Sequence, residues 1–298
     1  MKDGIIVVRK EEGYTSHDVV ACLRGILHMK KIGHTGTLDP MASGVLPVAI
    51  GKGTSLVEFL TEKKKIYETV LRLGTVTDTQ DITGTVLEER PVNVTEKEIL
   101  AAAESFVGDQ MQIPPMYSAL KVNGKKLYEL AREGKTVERA PRPVTFYGIE
   151  VTDIDLPFVS LSVTCSKGTY IRTLCNDLGE ALGCGGCMES LVRTASGEFS
   201  LSDAHTLDEI RGFVQDGTID QYIIPPEEVF GSCMPCMTHS AADILLKNGN
   251  PVPDHLVTAA GKPEPGEKVR LYLSDGDFAG LYIYEKQKNR FKAFKMFL

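Results

Sequence analysis

Asp39 is the residue whose surroundings best suit chemistry. It stands in Gly33-His-Thr-Gly-Thr-Leu-Asp39-Pro-Met-Ala-Ser-Gly44, a glycine-punctuated stretch with neither helical nor strand periodicity, which reads as a loop. An aspartate between glycines and followed by proline has a constrained backbone and a short side chain, as a preorganised nucleophile needs. The same spacing also fits a plain turn or helix start in which the carboxylate accepts backbone N–H bonds, and spacing alone favours that plainer reading.

Other chemistries have less support. There is no Walker A, G-x-G-x-x-G, H-E-x-x-H or G-x-S-x-G motif, so nucleotide hydrolysis, hydride transfer, zinc proteolysis and serine hydrolysis lack a sequence basis. Cys184-Gly-Gly-Cys187 and Cys233-Met-Pro-Cys236 have the C-x-x-C spacing of zinc knuckles. Their separation far exceeds the roughly 15 to 20 residues of a compact zinc ribbon. Glycines 185 and 186 also explain a tight turn through backbone freedom alone. The expectation is seven reduced thiols and no zinc.

The elements that must position Asp39 can be read from periodicity. Ile5 to Val8 is a strand, followed by a helix with cap candidates Thr15 and Ser16 and apolar positions Val19, Val20, Leu23, Ile26 and Leu27. Beyond the loop come an apolar run from Val45 to Ile50, a short helix from about Ser55 and a strand from Ile66 to Leu73. Thr95-x-x-Glu98 is a capping box opening a helix with Ile99, Leu100 and Ala103. Val159, Leu161, Val163 and Cys165 alternate with polar residues as a half-buried strand does. Lys167-Gly168 then opens a helix with Tyr170, Leu174, Leu178 and Leu182 on one face, ending at Gly183. Strands and helices without a strict βαβ rhythm imply a mixed-sheet α+β core. Pro225 to Pro235 reads as a linker, and the strand patterns at Val269 to Leu273 and Gly280 to Tyr284 imply a small β-rich appendage.

The 298 residues are 42% hydrophobic and 24% charged, which excludes disorder and leaves room for one large core or two domains. Apolar runs such as Gly44 to Ile50 fall far short of the roughly 18 to 20 residues that span a bilayer, and Ile5 to Val8 is too short for a signal-peptide core. A cytoplasmic protein without membrane contact is expected. The net charge of −7 does not advertise a polyanionic partner, but the charges are zoned. Lys121 to Arg142 holds seven basic residues against three acidic ones, Lys286 to Leu298 adds five basic residues, and Asp203 to Glu228 carries seven carboxylates against Arg211 alone. Such runs fit solvated faces as well as a local positive surface.

Lys31-Ile-Gly-His-Thr-Gly-Thr-Leu-Asp-Pro-Met-Ala-Ser-Gly-Val-Leu-Pro-Val48 resembles the signature of the bacterial tRNA pseudouridine synthases of the TruB family. Further segments follow in family order: Lys65-Ile-Tyr67, Asp78-Thr-Gln-Asp81 with Gly84, Ile113-Pro-Pro-Met-Tyr-Ser-Ala-Leu-Lys121, Gly124-Lys-Lys-Leu-Tyr128, Ser166-Lys-Gly-Thr-Tyr-Ile-Arg172 and Asp177-Leu-Gly-Glu180. The resemblance covers residues 5 to about 197 and overrides the plain-turn reading of Asp39.

The resemblance implies isomerisation of uridine-55 in the TΨC loop of tRNA, without metal or other cofactor, by a protein expected to act as a monomer. Asp39 would be the catalytic aspartate, acting at C1′, at the uracil ring or along a glycal route. Arg172 would pair with it, where spacing alone shows only a helix arginine, keeping the carboxylate ionised and oriented. Tyr67 would stack on the flipped uracil and Tyr170 would line the pocket; by spacing alone both tyrosines belong to the core. His34 would occupy or brace the space left by extruded nucleotides. Lys10, Leu191, Lys125 and Lys126 would contact the tRNA T-arm, the two last from an RNA-gripping insertion at about 109–143. The implied organisation is a pseudouridine synthase catalytic domain over 1–232 and a PUA-like RNA-binding domain over 238–298, whose start Asn248-Gly-Asn-Pro-Val252 resembles.

The chain departs from the family pattern at Arg9-Lys-Glu-Glu-Gly13, which lacks the usual proline, and at Leu191-Val-Arg193, which keeps only the second of two arginines. Two other functions compete. A tRNA-elbow-binding chaperone would need no chemistry, and the presence of Asp39, Tyr67 and Arg172 argues against it. A glycosidase would need a second carboxylate as acid, which only Asp78 or Asp81 could bring through the fold.

Overall fold

The computed structural model describes residues 2–122 and 124–298. Its main layer is a mixed sheet whose strands run in the order Gly4–Lys10, Ser43–Ile50, Gly186–Ser196, Lys65–Leu73, Phe158–Cys165, Arg142–Asp155 and Gly108–Gln112. Ile32–His34 pairs with Ser43–Ile50, and Phe199–Ser200 with Gly186–Ser196. Neighbours are antiparallel except Ser43–Ile50 with Gly186–Ser196, which run parallel. This is the mixed-sheet α+β architecture expected from the irregular order of elements.

Both faces of the sheet are covered, which explains its apolar runs. Ile6 and Val8 pack with Val19, Val20, Leu23 and Ile210, whereas Ile5 and Val7 face Leu56, Phe230, Leu281 and Phe297. The helix Ser16–Ile26 is capped by Thr15, whose hydroxyl accepts the Asp18 N–H while the Asp18 carboxylate accepts the Thr15 N–H. The helix Glu96–Ser105 begins with the same reciprocal pair at Thr95 and Glu98. The helix Ile171–Ala181 buries Leu174 and Leu178 against Leu71 and Val163, and Gly183 follows it with φ +76°.

Two local readings are corrected. The stretch from Gly33 to Gly44 is loop only in its middle: Ile32–His34 is a strand paired with Val48, Ala49 and Ile50, and Ser43 already begins the next strand. Partners so far along the chain leave no local period. Nor is Pro225 to Pro235 a free linker. Pro226 opens the short helix Pro226–Val229, Phe230 is buried beside Phe59 and Phe297, and Met234–Thr238 is a strand.

That strand belongs to a second, six-stranded sheet in the order Val252–Pro253, Arg290–Met296, Phe278–Glu285, Lys268–Tyr272, Met234–Thr238 and Val257–Ala259. Its own core contains Cys236, Leu246, Val269, Leu271, Tyr282 and Phe291. Leu281 and Phe297 instead join Ile5, Val7 and Val45 in a core shared with the first sheet.

Candidate active site

The backbone on both sides of Asp39 is anchored. The hydroxyl of Ser16 accepts the N–H of Leu38 at 2.8 Å and donates to its carbonyl at 3.2 Å. Lys10, only 1% exposed, donates to the carbonyl of Pro40 at 3.3 Å and to that of Ala42. Burial lowers the Lys10 ammonium to about 8, with the charge of Asp39 acting in the opposite direction. Lys10 therefore lies beneath the loop and supports it from inside, which corrects the expectation of a surface lysine in contact with the T-arm. The Gly13 N–H donates to the Pro40 carbonyl at 2.9 Å, which ties the segment that lacks the family proline to the Asp39 loop.

Arg193 is the largest fully buried side chain and holds the outer parts of the loop, donating to the carbonyls of Val45 at 2.7 Å and Gly36 at 3.4 Å. In register it lies between Tyr67 on one neighbouring strand and Gly44 on the other. A Cβ at Gly44 would fall 2.2 Å from the Arg193 carbonyl oxygen, and the Gly44 φ of +106° is itself left-handed, so the position requires glycine.

Arg172 connects three segments. Its Nε lies 2.9 Å from Asp39 Oδ2, a contact of opposite charges without an aligned hydrogen bond. Nη1 donates to the Thr79 carbonyl at 3.1 Å and reaches Asp81 Oδ2 at 3.5 Å, and Nη2 donates to the Tyr117 carbonyl at 2.8 Å. The Arg172 side chain is 4% exposed and that of Asp39 is 36% exposed, so a buried, fixed cation holds a carboxylate that faces outward. The other nearby carboxylates are occupied. Asp81 Oδ1 accepts from Thr79 Oγ1 and from the N–H and hydroxyl of Thr83, while Asp78 takes the Thr85 N–H at 2.7 Å. Asp81 is thereby committed to holding this turn and Arg172.

Tyr67 is 8% exposed, and burial raises its hydroxyl pKa while the adjacent Arg193 guanidinium pulls it down. Tyr170, half-buried, is raised for the same first reason. His34 stands at the edge of the loop with Nδ1 unpartnered, and burial followed by the charge of Arg193 pushes it below its ordinary range. The imidazole is thus disposed to be neutral. Leu191, 7% exposed, packs in the main core with its backbone paired to Thr69.

Lys125 and Lys126 are remote from this cluster in sequence, within a segment that has its own small core of Met116, Leu127 and Leu130. Lys125 pairs with Glu133 at 3.4 Å, and Lys126 donates to the Tyr128 hydroxyl at 3.1 Å. All seven cysteines are free, and among the described residues no group of three or more His, Cys, Asp or Glu is arranged as a metal site. No helix among the described residues is long and apolar enough to cross a membrane.

Sequence reasoning missed Ser16 and Arg193. Ser16 read as a cap because Ser and Thr share that role; the structure gives the cap to Thr15 and frees Ser16 for the loop. Arg193 carried a signal in the Leu191-Val-Arg193 motif, but its burial depends on strands distant in sequence.

This mixed sheet, with a loop aspartate paired to a buried arginine, has the architecture of the pseudouridine synthases in the comparisons. Residues 24–171 match the TruB family pseudouridylate synthase N-terminal domain, and residues 172–230 match the tRNA pseudouridylate synthase B C-terminal domain. The tRNA pseudouridine synthase B of Alkaliphilus oremlandii (strain OhILAs) is 45% identical over 295 residues, covering 99% of this chain and 97% of that protein. Its namesake from Lachnoclostridium phytofermentans (strain ATCC 700394 / DSM 18823 / ISDg) is 48% identical over 306 residues, covering 99% and 100%. A solved H/ACA RNP bound to a substrate RNA containing 2'-deoxyuridine includes a chain 26% identical, with a TM-score of 0.73 over 99% of this chain and 85% of that one. The chain belongs to the TruB family of pseudouridylate synthases.

Proposed function

We propose that this chain isomerises uridine-55 in the TΨC loop of tRNA to pseudouridine, with Asp39 as the catalytic carboxylate. The observation that carries this reading is the 2.9 Å pairing of an outward-facing Asp39 with the buried Arg172. The reaction breaks the C1′–N1 bond and joins C1′ to C5; the proton on C5 leaves and N1 gains one, so no oxidant or reductant is consumed. Attack at C1′, attack on the ring and a glycal route all use a carboxylate held beside the sugar and base.

Arg172 orients Asp39 for this, an electrostatic arrangement set before the substrate arrives. Tyr67 stacks on the extruded uracil as a neutral phenol, with Tyr170 forming a wall of the pocket and Leu191 closing its floor. Extrusion of the base costs a few kcal/mol, to be offset by contacts with the displaced nucleotides and backbone. His34 occupies or braces the vacated space. Lys125 and Lys126 contact T-arm phosphates from the insertion at about 109–143, and Lys10 acts by supporting the loop from below. The reading is completed by a catalytic domain over 1–232 and a PUA-like RNA-binding domain whose sheet begins with the strand Met234–Thr238, just ahead of the expected start at 238, in a monomeric cytoplasmic enzyme.

Incubating the full chain with an unmodified tRNA transcript and mapping pseudouridine tests this. Conversion at position 55 is expected; an unmodified transcript, or conversion only elsewhere, overturns it.

A further inference from the structure

Gln112 ends the strand Gly108–Gln112 at the root of the insertion and is 5% exposed. Its side-chain amide makes two hydrogen bonds to the backbone of Tyr170, 58 residues away. The Tyr170 N–H donates to Oε1 at 2.8 Å, and Nε2 donates to the Tyr170 carbonyl at 2.9 Å. A primary amide offers the same donor and acceptor as a peptide unit, so Gln112 does for Tyr170 what a neighbouring strand would do.

The Tyr170 carbonyl also takes the Leu174 N–H at 3.2 Å, so Gln112 adds to the first bond of the helix and supplies the partner of the Tyr170 N–H. Tyr170 is the N-cap residue of the helix Ile171–Ala181, with extended φ −101° and ψ 108° and no side-chain cap. Fixing it fixes the origin of the Tyr170 ring and the first turn of the helix, from which Arg172 reaches Asp39. Gln112 is itself held by backbone pairing with Arg142, so the two ends of the segment between them meet at this amide.

We propose that Gln112 is a positioning residue for Tyr170 and Arg172, setting both against Asp39 from the root of the insertion; this rests on the function proposed above. Misplacement of reacting groups by about 1 Å can lower turnover up to about 100-fold. Because Gln112 is buried and its amide meets only the backbone of Tyr170, its loss shifts Tyr170 and Arg172 relative to Asp39 while the phosphate contacts of the insertion stay, so the effect falls on kcat.

The test uses the full chain and an unmodified T-arm hairpin RNA. Gln112→Met keeps the length of the side chain and removes both hydrogen bonds; Gln112→Glu keeps the acceptor but sets a carboxylate against the Tyr170 carbonyl. Both are expected to lower kcat about tenfold or more with KM within about twofold, whereas Gln215→Met, at the end of the helix Leu207–Gln215, leaves both unchanged. If Gln112→Met does not fold, Gln112→Glu decides alone. Variants with kcat within about twofold of the unchanged chain overturn the inference, as do kcat and KM that worsen together with a lowered melting temperature. An unchanged chain that is inactive on the hairpin overturns the proposed function as well, whereas active variants overturn only the assignment of Gln112.

Discussion

Ser16 holds Leu38 by both its backbone N–H and its carbonyl, so the residue immediately before Asp39 is fixed by a hydroxyl 22 positions earlier in the chain. Ser16→Ala leaves these two groups without that partner in a site where Ser16 is 2% exposed. The expected loss is about 1–3 kcal/mol of stability. A fall in single-turnover rate of about tenfold is expected with it, as Asp39 loses its placement, while hairpin affinity is retained. Chemical denaturation and rapid-quench kinetics measure the two effects; a variant with wild-type values of both would show that the clamp does not hold the loop.

Asp39→Asn keeps the size of the side chain and removes its charge. Pseudouridine formation is expected to disappear while tRNA binding stays within a few-fold, since Asp39 is one group among many that meet the RNA. Turnover within tenfold of the unchanged chain would remove Asp39 from the mechanism.

Neutralising Lys125 and Lys126 together removes two cations from the insertion. If both touch phosphates, binding weakens and the plot of log K against log[salt] flattens by about one unit per contact. Glu133 already offsets Lys125, so its share is expected to be the smaller. A salt slope identical to that of the unchanged chain would make this surface an ordinary solvated face.

Lys10 makes stability depend on pH in a stated direction. Its ammonium releases its proton at about 8 in the folded chain, against an ordinary value of 10.5. Between those values the unfolded chain binds more protons, so stability rises with pH; the cost of burying the charge applies fully below about pH 8 and fades towards 10.5. The unfolding free energy of the unchanged chain should therefore gain on that of Lys10→Met between pH 8 and 10. A constant difference across that range contradicts the burial of a charged Lys10.

Asp39 was legible only through the long motif it shares with a known family, since its spacing alone fits a plain turn; the helix after Thr95 was legible because its capping box lies within four residues, and the helix after Thr15 from its apolar period. The supports of the site were not. Lys10 looks like a surface cation until the Ala42 carbonyl, 32 residues on, is brought to its ammonium. Gln112 and Tyr170 are joined only when the sheet and the helix meet, and no periodicity records an amide standing in for a strand. Pro225 to Pro235 read as a linker because proline and glutamate suggest solvent, whereas Phe230 anchors the segment in a core assembled from distant strands.

Leu281 and Phe297 of the second sheet lie in one core with Ile5, Val7 and Val45 of the first. The two sheets therefore share one packed seam, and a change of volume on one side of it is felt on the other. A second sheet transplanted from a distant relative would succeed only if the residues at positions 281 and 297 arrived with shapes that fit this chain's Phe230 and Val45, whatever RNA contacts the donor carried.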